Sequence, residues 1–151
     1  MTLKIAAAKD QDNSNLASNN ASFSLAGFAL EDFVRQVLTE DLGGDYDQGG
    51  ADITSAAIIS KEAEWSGELQ CREPILVAGL PIAAAFFRAL DPKIKLEFLA
   101  QDGQELPSSS PLLRMRGNAR ALLAAERSAL NVLQHLSGIA TITKAYVKEL
   151  V

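Results

Sequence analysis

The sequence predicts an α+β domain in which a small, mostly antiparallel sheet packs against helices. Apolar residues recur at helical spacing in three segments, which begin near residues 30, 80 and 118. Between these segments, apolar and polar residues alternate in the way that is typical of strands. The 151 residues, 48% of them apolar and 22% charged, suit a globular protein with one hydrophobic core.

The first predicted elements follow a polar N-terminal stretch. Residues 1–22 are rich in Ser and Asn, and we expect them to form a disordered tail. Apolar residues from Leu30 to Leu38 predict a helix that ends at Gly43. A polar, Gly-rich loop is expected over 43–52.

The middle of the chain alternates between the two kinds of element. Short strands are predicted over 65–71 and 75–78. A second helix is predicted over 80–90, because Pro81 falls in its first turn, where the missing N–H does no harm. The period then changes to that of a strand over 94–98.

The last predicted strand leads directly into the longest helical segment. Asp102-Gly103 is a strong turn signal, and a strand over 112–116 follows it. Asn118 is a suitable N-cap for the helix that comes next.

These elements divide the chain into an α/β sandwich over 23–117 and a helical segment over 118–151. Helical spacing resumes after Ser137-Gly138, so we expect two helices in the second part. The sequence ends at Val151 within a segment of helical spacing, and no capping glycine or proline marks the end of that helix. This pattern is expected where a chain is cut inside a helix.

The helix after residue 118 carries the candidate site. About 100° per residue places four of its polar side chains in one narrow column: Arg120, Arg127, Asn131 and Gln134. Two planar guanidiniums and two amides could bind a small anion, although a solvated helix face is the alternative interpretation. Glu126 falls in the apolar sector instead, where a carboxylate requires a partner.

Composition narrows the classes of function. The net charge of −5 argues against nucleic-acid binding, so an anion site would have to be local. No apolar run approaches the roughly 20 residues of a membrane span, and the N-terminus lacks the apolar segment of a secretory signal. Cys71 is the single cysteine, which excludes an intrachain disulfide and suits the cytoplasm.

The other chemically interesting residues favour structural roles. His135 has no nucleophile motif or orienting group beside it, and Cys71 is expected to be packed and inert. The acidic residues around the Gly-rich loop do not have the spacing of a calcium loop and are expected to be solvated: Asp41, Asp45, Asp47 and Asp52. We therefore predict no catalytic residue and no metal ligand in this chain.

Several short motifs, each unspecific alone, indicate a protein family when they occur in this order and spacing. They are Glu40-Asp41-Leu42-Gly43, Asp52-Ile53-Thr54-Ser55, Ile75-Leu76-Val77-Ala78-Gly79, Asp102-Gly103, and Ala119-Arg120-Ala121-Leu122-Leu123 continuing through Glu126-Arg127 and Leu130-Asn131 to Ser137-Gly138-Ile139-Ala140-Thr141. Together, over about 25–151, they resemble the N-terminal part of the quinolinate phosphoribosyltransferases, which are also called nicotinate-nucleotide pyrophosphorylases (decarboxylating).

This resemblance implies an N-terminal α/β sandwich followed by an α/β barrel, which this chain does not include. The family joins quinolinate to phosphoribosyl pyrophosphate and yields nicotinate mononucleotide, pyrophosphate and CO2, in de novo NAD synthesis. The resemblance also implies a homodimer or higher oligomer. It further implies that Mg2+ is bound with phosphoribosyl pyrophosphate in the full-length enzyme and not by this chain. Arg127 is implied to cross the dimer interface and bind quinolinate in the partner's barrel. From their places on the helix, we expect Arg120 to be a surface or interface residue and a secondary candidate for the site, and Glu126 to be a structural tether to a neighbouring backbone or arginine across the interface.

Two departures from the family pattern leave alternatives open. The loop over 43–52 is longer than the family's turn, and we interpret it as a surface insertion. The missing barrel leads to the expectation that these 151 residues alone are inactive. A non-catalytic dimerising fragment and a molybdenum-transport-associated paralogue are the alternatives. A lipoyl or biotinyl carrier is rejected, since its hairpin tip would need a lysine and Asp102-Gly103 stands there.

Overall fold

The computed structural model describes residues 1–7, 23–44 and 57–150. Within these ranges the chain forms three helices and six strands. In chain order they are β1 (Thr2–Ala7), α1 (Leu30–Leu42), β2 (Glu64–Gln70), β3 (Ile75–Leu76), α2 (Leu80–Leu90), β4 (Lys95–Phe98), β5 (Glu105–Leu106), β6 (Pro111–Asn118) and α3 (Ala119–Leu150).

The strands form two antiparallel sheets, which confirms the predicted class. The larger sheet has the order β1-β2-β6-β4, and β3 pairs with β5 in a second, two-stranded sheet. One face of the larger sheet contributes buried side chains to the core that it shares with the helices: Leu69, Leu96, Leu113 and Met115. The helices and strands observed at 30–42, 64–70, 80–90, 95–98 and 111–118 confirm the predicted ones, and their bounds differ from the predicted bounds by about two residues at most.

The opposite face of the larger sheet carries a row of alternating charges. Lys4, Glu68, Arg114 and Glu97 lie side by side on β1, β2, β6 and β4. The Arg114 Nε atom lies 2.8 Å from Glu68 Oε2, and its Nη1 atom lies 3.5 Å from Glu97 Oε2. The hydrogen bond from Arg114 lowers the pKa of Glu68. Such half-exposed pairs contribute up to about 1 kcal/mol each, so the row defines a solvated face more than it stabilises the fold.

The N-terminal prediction is wrong where the chain is described. Residues Thr2–Ala7 form β1, which pairs with β2 from Thr2 opposite Gln70 to Ala7 opposite Trp65. A lone six-residue segment has little strand signal of its own, and its backbone groups gain partners only because the outer edge of β2 is present. The remainder of the predicted tail, 8–22, lies outside the described residues.

The long helix begins as predicted and does not break where we expected. Asn118 Oδ1 accepts hydrogen bonds from the backbone N–H groups of Arg120 and Ala121, at 3.1 and 3.2 Å, as an N-cap does. The helix then continues without interruption through Ser137-Gly138 to Leu150. A helical glycine costs only about 1 kcal/mol, and the contacts of Ser137 outweigh it.

Those contacts fasten α3 to the irregular backbone before α2. Ser137 Oγ accepts a hydrogen bond from Ala78 N at 3.1 Å and lies 3.2 Å from Ala78 O, to which it can donate. Thr141 Oγ1 accepts from Leu76 N at 2.9 Å. Backbone groups of Leu76, at the end of β3, and of Ala78, between β3 and α2, are therefore satisfied by hydroxyls on one helix face.

The start of α2 is held from two directions. The backbone N–H groups of Gly79 and Leu80 each donate to a carboxylate oxygen of Asp102, both at 2.9 Å, so a distant residue caps the helix. Gly79 has a φ of +87°, and a Cβ atom there would lie 2.5 Å from Leu136 Cδ1. The positive φ favours glycine, and a larger residue would also force the end of the Leu136 side chain to move.

We expect Gly79→Ala to lower the free energy of unfolding of this chain by about 2 kcal/mol, because the new Cβ is strained by the positive φ and collides with Leu136. Gly138→Ala is the matched control. Among the described residues nothing lies within 4 Å of its would-be Cβ, so alanine should raise the helix propensity and the stability by up to about 1 kcal/mol. Urea denaturation followed by circular dichroism measures both, and equal effects would contradict the close crossing.

Candidate substrate-binding surface on the long helix

Arg127 lies on the exposed side of α3. Within the described part of the chain its guanidinium makes no hydrogen bond or ion pair. Asn131 and Gln134 are exposed on the same side, about one and two turns further along. Three of the four residues in the predicted polar column therefore present a guanidinium and two amides to the solvent.

Arg120 belongs to the same column by angle and has a different environment. Its side chain is half-buried, and its Nε and Nη2 atoms donate to the carbonyl oxygen of Ile59 at 2.9 and 2.5 Å. Because a backbone carbonyl already occupies this guanidinium, it anchors the segment before β2 to the start of α3. The structure thus separates two arginines that the sequence pattern grouped together.

Glu126 is half-buried beside Arg127, and burial raises the pKa of its carboxyl group. No hydrogen bond or ion pair to this side chain occurs among residues 1–7, 23–44 and 57–150. The expectation that a carboxylate on this face requires a partner is therefore not met within the described chain. A tether across an interface between subunits stays a prediction.

A hydrogen bond that the sequence did not predict lies next to Arg127. Ser128 is 1% exposed, and its hydroxyl donates to Oδ2 of Asp41 near the end of α1. The sequence predicts Asp41 to be a solvated loop residue; it is exposed, but it lies in the last turn of α1 and accepts this hydrogen bond. The available signals were a serine at a core-facing position of α3 and an acidic residue in the last turn of α1, but nothing local connects two residues so far apart in the sequence.

The remaining candidates have structural surroundings. His135 is exposed at the rim of an apolar cavity of about 640 Å³, which Phe23, Phe28 and Val132 help to line. Cys71 is buried immediately after β2, and its Sγ atom lies 3.1 Å from the carbonyl oxygen of Pro107. Most of the predicted loop over 43–52 lies outside the described residues. So do three of the four acidic residues considered for a calcium loop: Asp45, Asp47 and Asp52.

Metal-binding clusters and membrane-spanning helices were both sought among the described residues. No group of three His, Cys, Asp or Glu side chains there is arranged to hold a metal ion. Nor does any helix in them combine the length and the apolar character that a bilayer crossing requires.

Solved structures with the same fold define the class of protein. NadC from Streptococcus pyogenes is 33% identical and matches with a TM-score of 0.74 over 84% of this chain and 43% of its own. The nicotinate-nucleotide pyrophosphorylase from Ehrlichia chaffeensis is 34% identical and matches with a TM-score of 0.71 over 82% of this chain and 43% of its own. The described fold is therefore shared with part of a nicotinate-nucleotide pyrophosphorylase.

Sequence comparison identifies the family. The model of the quinolinate phosphoribosyl transferase N-terminal domain matches residues 52–137, and the chain belongs to this family. A probable nicotinate-nucleotide pyrophosphorylase of Synechocystis is 38% identical over 120 residues, which are 79% of this chain and 38% of that protein. The one from Methanocaldococcus jannaschii is also 38% identical over 120 residues, covering 80% and 40%. The chain thus spans about two fifths of the length of these relatives.

We expect Glu126→Gln to raise the free energy of unfolding by about 0.5 kcal/mol at neutral pH. Burial raises the pKa of this carboxyl group, so the folded state disfavours the ionised form. This penalty is fully present above the folded-state pKa and disappears as the pH falls below the unfolded-state pKa.

The measurement is urea denaturation of both proteins between pH 4 and pH 8, with Glu73→Gln as the control because Glu73 is also a glutamate but is exposed. The stability difference for Glu126→Gln should grow with pH and that for Glu73→Gln should not. A difference that shrinks with rising pH would mean that the Glu126 carboxylate has a favourable partner.

Proposed function

We propose that this chain serves as the N-terminal domain of a quinolinate phosphoribosyltransferase in NAD biosynthesis. The complete enzyme would convert quinolinate and phosphoribosyl pyrophosphate to nicotinate mononucleotide, pyrophosphate and CO2. The family match and the names of the relatives support this activity. The observation that supports the role of this chain is that Arg127 is exposed and has no partner in the described residues. The resemblance to the family implies that the residue at this position binds quinolinate.

Arg127 is suited to binding a carboxylate of quinolinate. A guanidinium remains charged at every physiological pH and offers two parallel N–H donors to one carboxylate. The charged groups of the site would have to be in position before the reaction starts. Negative charge develops on the departing pyrophosphate, and only groups that are already in place can balance it. Arg127 would thus position quinolinate while other groups hold the ribosyl donor.

The site would be completed by a second subunit. One guanidinium on a convex helix cannot enclose two polyanionic substrates, since it provides a single cation and no surrounding walls. We propose that Arg127 enters the barrel of a partner subunit in a homodimer or higher oligomer. The half-buried carboxylate of Glu126 beside it would then gain a partner across the same interface.

The metal and the compartment follow from the same proposal. Mg2+ would accompany phosphoribosyl pyrophosphate and balance the charge of its phosphates. We propose that the full-length enzyme binds this ion together with phosphoribosyl pyrophosphate, and we name no ligand for it among the described residues. We further propose a cytoplasmic location, which agrees with the free thiol of Cys71.

The proposal can be tested with a hybrid enzyme, in which the full 151-residue chain replaces the matching segment of the Ehrlichia chaffeensis pyrophosphorylase. We expect quinolinate-dependent turnover. Arg127→Ala should raise the Kd for quinolinate about tenfold or more, the loss expected for a charged hydrogen-bonded contact. Arg127→Lys should restore part of this affinity, and Arg35→Ala, which removes another exposed arginine, should not change it.

A mixing experiment tests whether Arg127 acts across the interface. Hybrid subunits that lack Arg127 would be combined with subunits that retain Arg127 but have an inactivated barrel. In randomly reassembled dimers one site regains both parts, so about one quarter of the wild-type activity should return. If no activity returns although mixed dimers form, Arg127 does not act in trans. Unchanged quinolinate affinity in Arg127→Ala would refute the binding role itself.

A further inference from the structure

The direction in which Arg127 projects depends on how α3 is held. Within the described residues this side chain has no partner of its own that could orient it. Its position relative to a neighbouring subunit is therefore set by the placement and the axial rotation of the helix turn from which it extends. A contact that fixes this turn would control where the guanidinium reaches.

The hydrogen bond between Ser128 and Asp41 is placed to do this. Ser128 follows Arg127 directly and is about 100° further around the helix, which turns it towards the protein interior. Its hydroxyl donates to Asp41 at the C-terminal end of α1, and the carboxylate acceptor makes this a charge-assisted hydrogen bond. The bond thus joins the turn that carries Arg127 to a second helix.

No comparable side-chain bond from α3 lies nearby in the described structure. Before it, Arg120 bonds to Ile59 O about 12 Å away along the helix axis, and after it Ser137 bonds to Ala78 about 14 Å away. Between these two points α3 is otherwise held by apolar packing, which is not directional. The contact between Ser128 and Asp41 therefore supplies the directional restraint for the middle of this stretch.

The position of Asp41 in its own helix is locally unfavourable. The last turn of α1 contains acidic residues and no basic residue, at the end where the helix dipole is negative. Asp41 therefore does not stabilise α1 through its charge. The contact with Ser128 accounts for an aspartate at this position, since a buried hydroxyl on α3 gains an ionised acceptor at the protein surface.

We propose that Asp41 and Ser128 are a positioning pair that orients Arg127 towards the carboxylate of quinolinate. The inference rests on the proposed function, because that function gives Arg127 a substrate. Asp41 itself contacts no substrate; it acts through the backbone of the turn that contains Ser128 and Arg127.

The test measures quinolinate binding and turnover in the hybrid enzyme that carries the full chain. Asp41→Ala should raise the Kd and the KM for quinolinate about tenfold, as a small displacement of a binding group does, and leave the KM for phosphoribosyl pyrophosphate within about twofold. Asp41→Asn should weaken quinolinate binding much less, because the amide oxygen of asparagine can still accept the hydrogen bond from Ser128. Glu40→Ala is the matched control, since among the described residues the side chain of this neighbouring acid is hydrogen-bonded only to Gln36, which also lies in α1.

A double-mutant cycle separates positioning from general stability. In the Arg127→Ala background, Asp41→Ala should have no further effect on quinolinate affinity, because the group that it positions is gone. If the two substitutions increase the Kd for quinolinate independently, so that their factors multiply in the double variant, the inference is overturned. It is also overturned if variants at Asp41 and Ser128 only lower the Tm, or raise the KM values of both substrates equally, without selectively weakening quinolinate binding.

These results can be told apart from a failure of the proposed function. If Arg127→Ala weakens quinolinate binding and Asp41→Ala does not, the positioning inference is wrong and the function of Arg127 stands. If Arg127→Ala leaves quinolinate affinity unchanged, the assigned function of Arg127 fails, and the positioning inference is overturned with it.

Discussion

The fold depends on the place where α3 crosses the start of α2. From the end of β3 to the start of α2, backbone groups of Leu76 and Ala78 are hydrogen-bonded to the hydroxyls of Thr141 and Ser137 on α3. At this crossing Gly79 has a φ of +87° and packs against the side chain of Leu136, so a side chain at position 79 would be strained and would displace the end of Leu136. Hydroxyl partners and a glycine therefore define one geometry for the crossing, whereas apolar packing alone would allow α3 to slide or rotate. Arg127 lies ten residues before Ser137 on the same helix, so the crossing also determines the region of the surface that it occupies.

The other side of the same segment is secured by the loop after β4. Asp102 caps α2, and the backbone N–H of Gly103 donates to Val77 O at 2.8 Å. Residues 77–80 thus have α3 on one side and this loop on the other. A motif that the sequence identifies only as a turn therefore connects the small sheet, α2 and the long helix. The proposed binding surface rests on this framework, although none of these residues would touch a substrate.

Elements with local signals could be predicted, and those that depend on distant partners could not. The end of α1 and the bounds of α2 follow from Gly43 and Pro81, which act on their own neighbours. The strand β1 requires the edge of β2. The continuity of α3 requires the bonds of Ser137, which outweigh the local cost of Gly138. At the candidate site, periodicity predicted the exposure of Arg127 and could not show that Ile59 O occupies Arg120, or that Ser128 meets a residue of α1.

The row of alternating charges on the solvated sheet face bears on how copies of this domain can associate. It ends in Lys4 on the edge strand β1 and in Glu97 on the edge strand β4. If either edge strand paired with the same strand of a second copy in a register that aligned the rows, like charges would face each other, and such cross-strand pairs are destabilising. A two-fold symmetric assembly that continues the sheet in this register is thereby disfavoured, because the solvated face would place identical charges opposite one another.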